Sequence, residues 1–188
     1  MVSSSVLLIK RTHSHQERKA INVSNRRHYI KPGPGQESVW DYPRPPRLES
    51  TDKHIQVIFN GIIIADTKHS KRILETSHPP VYYIPPADVR MEYFTSTSRT
   101  TFCEWKGAAS YYTITVNNKT IPNCAWYYRQ PSSGYESLAD YIAFYPAQMD
   151  ACYVDAEKVE VQEGDFYGGW ITKDIVGPFK GGQGTFGW

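Results

Sequence analysis

The segment HIQVIFNGIIIAD, residues 54–66, contains the clearest structural signal in this 188-residue chain. Two runs of mostly β-branched residues, which favour strands, flank the dipeptide Asn60-Gly61. Asn-Gly readily supplies the two positive φ angles of a type I′ turn, the tightest connection between antiparallel strands. The segment therefore predicts a β-hairpin.

Short apolar runs separated by turn residues continue on the C-terminal side of the hairpin. They predict further strands at residues 72–75, 81–84, 101–105, 111–116, 120–128, 141–145, 151–154 and 158–161, with turns at Asn117-Asn118 and at 155–157. Helix is expected only as one or two short pieces, in IPPADVRMEYF, residues 84–94, and at 135–140. Strands at this spacing predict a mostly β, compact antiparallel domain with tent-like or barrel-like sheets.

The two ends of the chain differ in composition from this middle part. Residues 1–35 predict a basic, flexible tail that ends in KPGPG, and the first 50 residues hold nine Lys or Arg against four Asp or Glu. Three roles stay open for the tail: it is dispensable, it targets the protein to an organelle, or it binds a polyanion. Residues 36–188 predict a single β domain. Eight of the 13 glycines fall in residues 164–188, which predict a Gly-rich strap that lies against the sheets or rims a ligand site.

Composition also limits the chemistry. The three cysteines, Cys103, Cys124 and Cys152, are odd in number and too far apart for a C-x-x-C motif, so neither a disulfide scaffold nor a metal site is expected. No cofactor is expected either. No apolar run approaches the roughly 18 to 20 residues of a membrane span. We expect a soluble, cytoplasmic protein, with organelle targeting left open and nucleic acid an improbable partner; the oligomeric state stays undetermined.

Aromatic residues make up 14% of the chain, which is enough for rings to line a groove as well as a core. Many of them surround TFCEWKGAASYY, residues 101–112. If residues 101–105 form a strand, Glu104 and Lys106 lie on one face while Cys103 and Trp105 lie on the other. Three interpretations stay open for Glu104 and Lys106: a solvated stripe, a buried ion pair, or a pair that contacts a ligand.

Two further groups are candidates for a site. In ETSHPPVYY, residues 75–83, His78 precedes two prolines and is held extended, which suits an acid/base catalyst; the alternative is that Glu75 and His78 brace the turn. Cys103 is either a nucleophile with His78 as its base or an inert buried thiol. In GDFYGGW, residues 164–170, Asp165 either caps the loop or orients a ligand beside Tyr167 and Trp170.

Five segments together resemble the domain of unknown function 427 family over residues 37–188. They are ESVWDYPRPPRLE, ETSHPPVYYIPPADVRME, TFCEWKGAASYYTI, YIAFYPAQMDACYVDAEKV and GDFYGGWITKDIVGPFKGG. The resemblance implies a mostly antiparallel β domain, similar to the tent-like fold of methionine sulfoxide reductase B and related zinc proteins. The paired C-x-x-C motifs of those proteins are missing here, so their zinc site is not carried over. The nucleotidyltransferase-like label given to the family lacks support, because no Gly-Ser motif with paired aspartates is present.

The sequence therefore predicts a β domain with an aromatic-lined pocket for a small polar or cationic molecule, a short peptide or a modified side chain. The expected ligand-binding residues are Glu75, Tyr83, Trp105, Tyr145, Tyr167 and Trp170, and the candidate catalytic residues are His78, Glu104 and Lys106. The first alternative is an enzyme with His78 or Glu104 as general acid/base and Lys106 as an electrostatic stabiliser. The second is an interaction module that recruits a partner through PRPPR, residues 43–47, or through the basic tail.

The Gly/Pro break at residues 31–35 generates a first prediction. Limited proteolysis or deletion of residues 1–35 should leave a core whose melting temperature equals that of the full chain, because the tail has no apolar pattern with which to join the fold. Differential scanning calorimetry of the two proteins measures this. A loss of several degrees would show that the tail belongs to the folded domain.

Overall fold

The computed structural model of the chain describes residues 29–164 and 167–188. Most of the predicted tail, residues 1–28, and the candidate Asp165 with its neighbour Phe166 lie outside the described residues. Within the described part, the chain is mostly β, as the sequence predicts, and its helical segments are short 3-10 turns. There are five such turns among the described residues rather than the one or two short pieces expected. No helix among these residues is long and apolar enough to cross a membrane.

Fifteen strands follow one another along the described residues. They are β1 (Glu37–Ser38), β2 (Arg47–Ser50), β3 (Ile55–Phe59), β4 (Ile62–Thr67), β5 (Lys71–Leu74), β6 (Val81–Tyr83), β7 (Phe94–Cys103), β8 (Gly107–Val116), β9 (Lys119–Tyr128), β10 (Ile142–Phe144), β11 (Ala151–Val154), β12 (Glu157–Lys158), β13 (Glu160–Val161), β14 (Trp170–Ile171) and β15 (Ile175–Val176). The 3-10 turns are Val39–Asp41, Pro86–Asp88, Met91–Tyr93, Glu136–Leu138 and Pro146–Gln148.

The strands form three main antiparallel sheets, with strand orders β10-β9-β8-β7, β12-β11-β3-β4 and β2-β5-β6. Two small ribbons, parallel β1-β15 and antiparallel β13-β14, attach the ends of the domain. None of these sheets closes on itself. The prediction of a mostly antiparallel β domain is therefore confirmed. The sheets of the described residues do not form a barrel.

The predicted hairpin is present as β3 and β4. Asn60 and Gly61 have φ angles of 47° and 74°, the left-handed values that a type I′ turn requires. The inward positions of β3 are fully buried, so the alternation in the sequence reports the core face of the sheet. The same turn chemistry recurs between β11 and β12, where Asp155 and Ala156 have φ angles of 49° and 65°.

The β7–β10 sheet contributes to two hydrophobic clusters. The main core packs residues of this sheet, such as Ile114 and Phe144, against the β3 sheet and Trp170. A second cluster, rich in tyrosine, packs other residues of the sheet, such as Trp126, against β5 and β6. Residues 124–128 of β9 are consequently all buried, because this strand contributes to both clusters.

The strand predicted at residues 101–105 is wrong in its extent. β7 begins at Phe94 and ends at Cys103, which pairs with Gly107, so residues 104–106 form the hairpin turn between β7 and β8. Glu104 is exposed while Lys106 is 9% exposed, so the two do not share a face. The cause is that strand alternation ceases where the chain reverses. The predicted strand 158–161 likewise divides between β12 and β13, which belong to different sheets.

The Gly-rich strap lies against the sheets, as predicted. Trp170 is fully buried in the main core, and the Trp40 indole donates to the carbonyl oxygen of Pro178 at 2.9 Å. Close approach requires glycine at two positions: a Cβ on Gly168 would lie 2.3 Å from the Trp126 ring, and one on Gly169 would lie 2.2 Å from the side-chain oxygen of Gln162. The strap therefore closes directly over Trp126.

This contact yields a prediction. Gly168→Ala should destabilise the protein by about 1 to 3 kcal/mol, because the added methyl group overlaps a packed indole. The control is Gly187→Ala, since a Cβ on Gly187 meets nothing within 4 Å. Denaturant unfolding of both variants measures the difference. Equal stabilities would contradict a strap that is closely packed on Trp126.

Candidate functional site

A cavity of about 520 Å³ lies between the β5-β6 sheet, the β7-β8 hairpin, β9 and the strap. We call it the aromatic cavity. Its lining comes from separate parts of the chain: Ile73, Glu75, His78, Pro79, Val81, Tyr83, Thr101, Phe102, Cys103, Glu104, Trp105, Lys106, Ala109, Tyr111, Trp126, Tyr128, Tyr145, Tyr167 and Lys180. Side chains far apart in sequence therefore converge on one space.

Nine residues are expected from the sequence to bind a ligand or to act in catalysis, and eight of them line this cavity. They are Glu75, His78, Tyr83, Glu104, Trp105, Lys106, Tyr145 and Tyr167. Trp170 is the exception, because its side chain is fully buried in the main core and its indole N–H points to the carbonyl oxygen of Phe144 at 3.4 Å. We therefore omit Trp170 from the candidate site.

Sequence reasoning missed several members of the wall. Trp126 and Tyr128 are two residues apart on β9. Residues two apart on a strand share a face, so the predicted strand at 120–128 would have placed both rings on one side. Tyr111 lies beside them on β8, where it pairs with Trp126. Lys180 has no such local signal, because the strap brings it to the cavity from the far end of the chain.

Contacts between the rings fix the shape of the cavity. Trp126 lies 4.5 Å from Tyr145 and 6.2 Å from Tyr83 between ring centroids, and Tyr83 lies 6.3 Å from Tyr128. The Trp126 N–H also points to the Tyr83 hydroxyl at 3.4 Å. Burial raises the pKa of Tyr83, Tyr128 and Tyr145, so these phenols stay neutral at physiological pH. The wall is therefore apolar with hydroxyl groups embedded in it.

Lys106 is a charged group at the buried side of this wall. Its ammonium nitrogen lies 6.0 Å from the centroid of the Tyr128 ring, and it forms no salt bridge with a carboxylate of the described residues. Burial lowers the pKa of Lys106, but its interactions with Tyr83, Cys103 and Glu75 outweigh that effect, and the pKa lies above the ordinary value. The cavity therefore contains a lysine that is protonated at neutral pH.

Glu75 is the carboxylate of the wall that already has an ion-pair partner. Arg44 lies 3.1 Å from its carboxylate and also donates to the carbonyl oxygen of Thr76 at 3.0 Å. Arg44 belongs to the PRPPR segment, so this segment is attached to its own domain beside the cavity. Glu104 and Lys106, which the sequence leaves open as a pair, lie in different environments. Glu104 is exposed at the rim of the cavity, and Lys106 faces its interior.

His78 is presented to the cavity by a strained turn. Ser77 has a φ of 69°, an unusual value for a non-glycine residue, and the His78 N–H donates to the carbonyl oxygen of Glu75 at 3.0 Å. Because Nδ1 of His78 lies 3.0 Å from the carbonyl oxygen of Thr76, Nδ1 must donate, which leaves Nε2 with a free lone pair. Burial lowers the pKa of His78, so the ring is neutral and basic near pH 7.

The cysteines differ in access. Cys103 is half-buried and lines the cavity, whereas Cys124 and Cys152 are buried in the main core. Burial raises the pKa of Cys124 to about 11 and also raises that of Cys152. In residues 29–164 and 167–188 no three His, Cys, Asp or Glu side chains are grouped so that they could hold a metal ion.

A second depression of about 700 Å³ lies over β2 and β5. Several of its charged side chains are paired: Arg72 bridges Glu37 and Glu49, and Lys53 lies 2.6 Å from Asp174. The residues that the sequence indicates as a site lie instead in the aromatic cavity. The aromatic cavity is therefore the better candidate for a functional site.

The sequence was also compared with known proteins. A family model described as a domain of unknown function (DUF427) matches residues 47–155, which is more than half of the chain. The matched region contains most of the cavity wall, from Ile73 to Tyr145, whereas Tyr167 and Lys180 lie beyond it. A search of curated proteins finds no match.

The cysteine environments predict selective alkylation. Brief treatment of the native protein with iodoacetamide should label Cys103 well before Cys124 and Cys152, because only Cys103 borders the cavity and the other two are buried. Peptide mapping by mass spectrometry gives the labelling rates, and a guanidinium-unfolded sample should label all three equally. Labelling of Cys124 in the native protein at the rate of Cys103 would contradict this placement.

The lowered pKa of His78 predicts a pH-dependent stability. The unfolded chain, whose histidine has an ordinary pKa near 6.5, binds the proton first as the pH falls, so this group destabilises the fold progressively below about pH 6.5. His78→Gln removes that proton uptake. The stability of wild type relative to His78→Gln should therefore decrease between pH 7.5 and pH 5, measured by urea unfolding. Parallel pH profiles would show that His78 is not buried as a neutral ring.

Proposed function

This chain belongs to the domain of unknown function 427 family, and we propose that its aromatic cavity binds a small polar organic molecule. One observation carries the proposal: side chains from widely separated parts of the chain converge on a space of about 520 Å³. Ligand sites in proteins are concave, have about 300 to 1,000 Å³ of space and combine apolar walls with a few placed polar groups. The aromatic cavity has each of these properties.

The charges in the wall favour some ligands over others. A cationic ligand was one expectation from the rings, since ring faces attract cations. Two lysines, Lys106 and Lys180, line the same space, and Lys106 is buried there. Their repulsion of a cation opposes the attraction of the rings, so a neutral or anionic polar molecule suits the cavity better.

A specific observation supports an enzyme as the second candidate. The free Nε2 of His78 on a ring held at Nδ1 is the arrangement of a general base, and the ring borders the cavity beside Tyr167, 5.2 Å away between centroids. Lys106 would then stabilise negative charge that develops on a bound substrate. Glu104 is exposed at the rim and suits the base role less well.

The binding proposal is tested with a library of small polar compounds of neutral, anionic and cationic type. Compounds that raise the melting temperature are tested again for their ability to slow alkylation of Cys103, which lines the cavity. Val81→Trp should abolish both effects, because the larger ring fills the space beside the wall. The matched control Ile63→Trp, at a position 39% exposed and away from the cavity, should retain both effects. Compounds that bind Val81→Trp as well as wild type would place the binding site elsewhere.

The enzyme candidate is separated from simple binding with the same compounds. Each is incubated with wild type and with His78→Gln, and the mass of the compound is followed over time. Turnover that is lost in His78→Gln while protection of Cys103 persists would establish His78 as a base. Protection with unchanged compound mass in both proteins would support binding alone.

A further inference from the structure

The buried side of the aromatic cavity holds a cation that forms no ion pair with an acidic side chain of the described residues. Lys106 is 9% exposed and forms no salt bridge with a carboxylate of the described part of the chain. Glu75, the half-buried carboxylate in the same wall, is paired with Arg44. Buried charges in proteins are normally paired, because an isolated one loses its hydration without compensation. The position therefore suits an anion supplied from outside the chain.

A neutral hydrogen-bond donor lies near this cation. The hydroxyl oxygen of Tyr83 accepts from the Trp126 N–H at 3.4 Å. The hydrogen bond between the two phenols raises the pKa of Tyr128 and opposes the rise in the pKa of Tyr83, so Tyr128 donates and the O–H of Tyr83 stays available to donate. Tyr83 also interacts electrostatically with Lys106. An oxyanion placed between them would receive one charged and one neutral hydrogen bond.

We propose that Lys106 and Tyr83 form an anion subsite that holds the carboxylate of a small organic acid. This proposal rests on the proposed function, because it names the ligand class of the same cavity. The neighbouring rings of Trp126 and Tyr145 provide apolar surface for a flat, unsaturated body attached to the carboxylate. The ligand class is therefore an aryl or similar planar carboxylate.

A single negative charge fits the cavity better than two. Lys180, the second lysine of the wall, already donates to a main-chain oxygen of Trp188 at 2.8 Å. The carboxylates of Glu75 and Glu104 also border the cavity. A phosphate monoester, which carries about −1.5 to −2 charges at pH 7, would meet one available cation and two repelling groups. A carboxylate monoanion is neutralised by Lys106 alone.

The test uses benzoate and benzamide, which have nearly the same shape and differ in charge at pH 7. Both are titrated into the full-length wild-type protein, with the rate of Cys103 alkylation and the melting temperature as readouts. Benzoate should protect Cys103 at concentrations about 10- to 100-fold lower than benzamide, which is the range expected for a hydrogen bond to a charged group. This comparison requires no variant and so does not depend on the folding of one.

Two variants localise the effect. Lys106→Met should lose the preference for benzoate over benzamide, and Lys180→Met, which removes the other lysine of the wall, should retain it. Near-ultraviolet circular dichroism establishes that each variant keeps the wild-type packing of its aromatic residues.

Three results would overturn the anion subsite: equal protection by the two probes, failure of benzoate to protect Cys103, or an undiminished benzoate preference in Lys106→Met. The proposed function is judged separately. If the two probes protect equally, or if the library yields only ligands of another chemical class, the cavity still binds a small molecule but has no anion subsite. If no compound of the library loses its binding in Val81→Trp, the proposed function itself is wrong.

Discussion

The reversal of the chain at residues 104–106 is the constraint on which the site depends. Gly107 closes this turn with a φ of 93°, and a Cβ there would lie 3.0 Å from the Ser132 hydroxyl. Ser132 in turn donates its N–H to the carbonyl oxygen of Lys106 at 3.1 Å, which ties the turn to the next loop. Because the turn directs Glu104 outward and Lys106 inward, a lysine is buried among aromatic rings and forms no ion pair with a carboxylate of residues 29–164 and 167–188.

The surrounding architecture keeps this cavity open and its chemistry specific. The β7–β10 sheet is anchored by the main core on one side, and the tyrosine-rich cluster forms the cavity wall on the other. The strap closes over Trp126 through Gly168, where no side chain would fit. Burial keeps Tyr83 and Tyr128 un-ionised, so the wall has neutral phenol groups beside the ammonium group of Lys106. A preformed space avoids the entropic cost of ordering a loop when a ligand binds.

Much of this arrangement follows from local sequence signals. The Asn60-Gly61 turn, the strands β9 and β11 and the short turns at Pro86–Asp88 and Glu136–Leu138 were predictable, because β-branched runs, Asn-Gly pairs and prolines act over a few residues. Residues that the sequence indicated as a site, including His78 and Tyr145, do lie together. The extent of β7 was not predictable, because its polar stretch from Thr95 to Thr101 lacks apolar alternation.

The remaining errors concern contacts that only the folded chain specifies. The direction of Lys106 depends on the pairing of Cys103 with Gly107, and the ion pair of Glu75 with Arg44 joins the loop before β2 to the turn after β5. Trp170 was expected in a binding site because rings favour such walls, but it fills the main core. Pattern alone does not decide between these two uses of an aromatic ring.

The central claim, a charged and buried Lys106, is tested most directly by a pH titration of ¹³C-labelled lysine by nuclear magnetic resonance, with Lys106→Met used for assignment. The Cε signal of Lys106 should titrate above its ordinary value of 10.5, because its interactions with Tyr83, Cys103 and Glu75 outweigh burial. A Lys106 signal that titrates near or below neutral pH would show an uncharged amine and contradict the account.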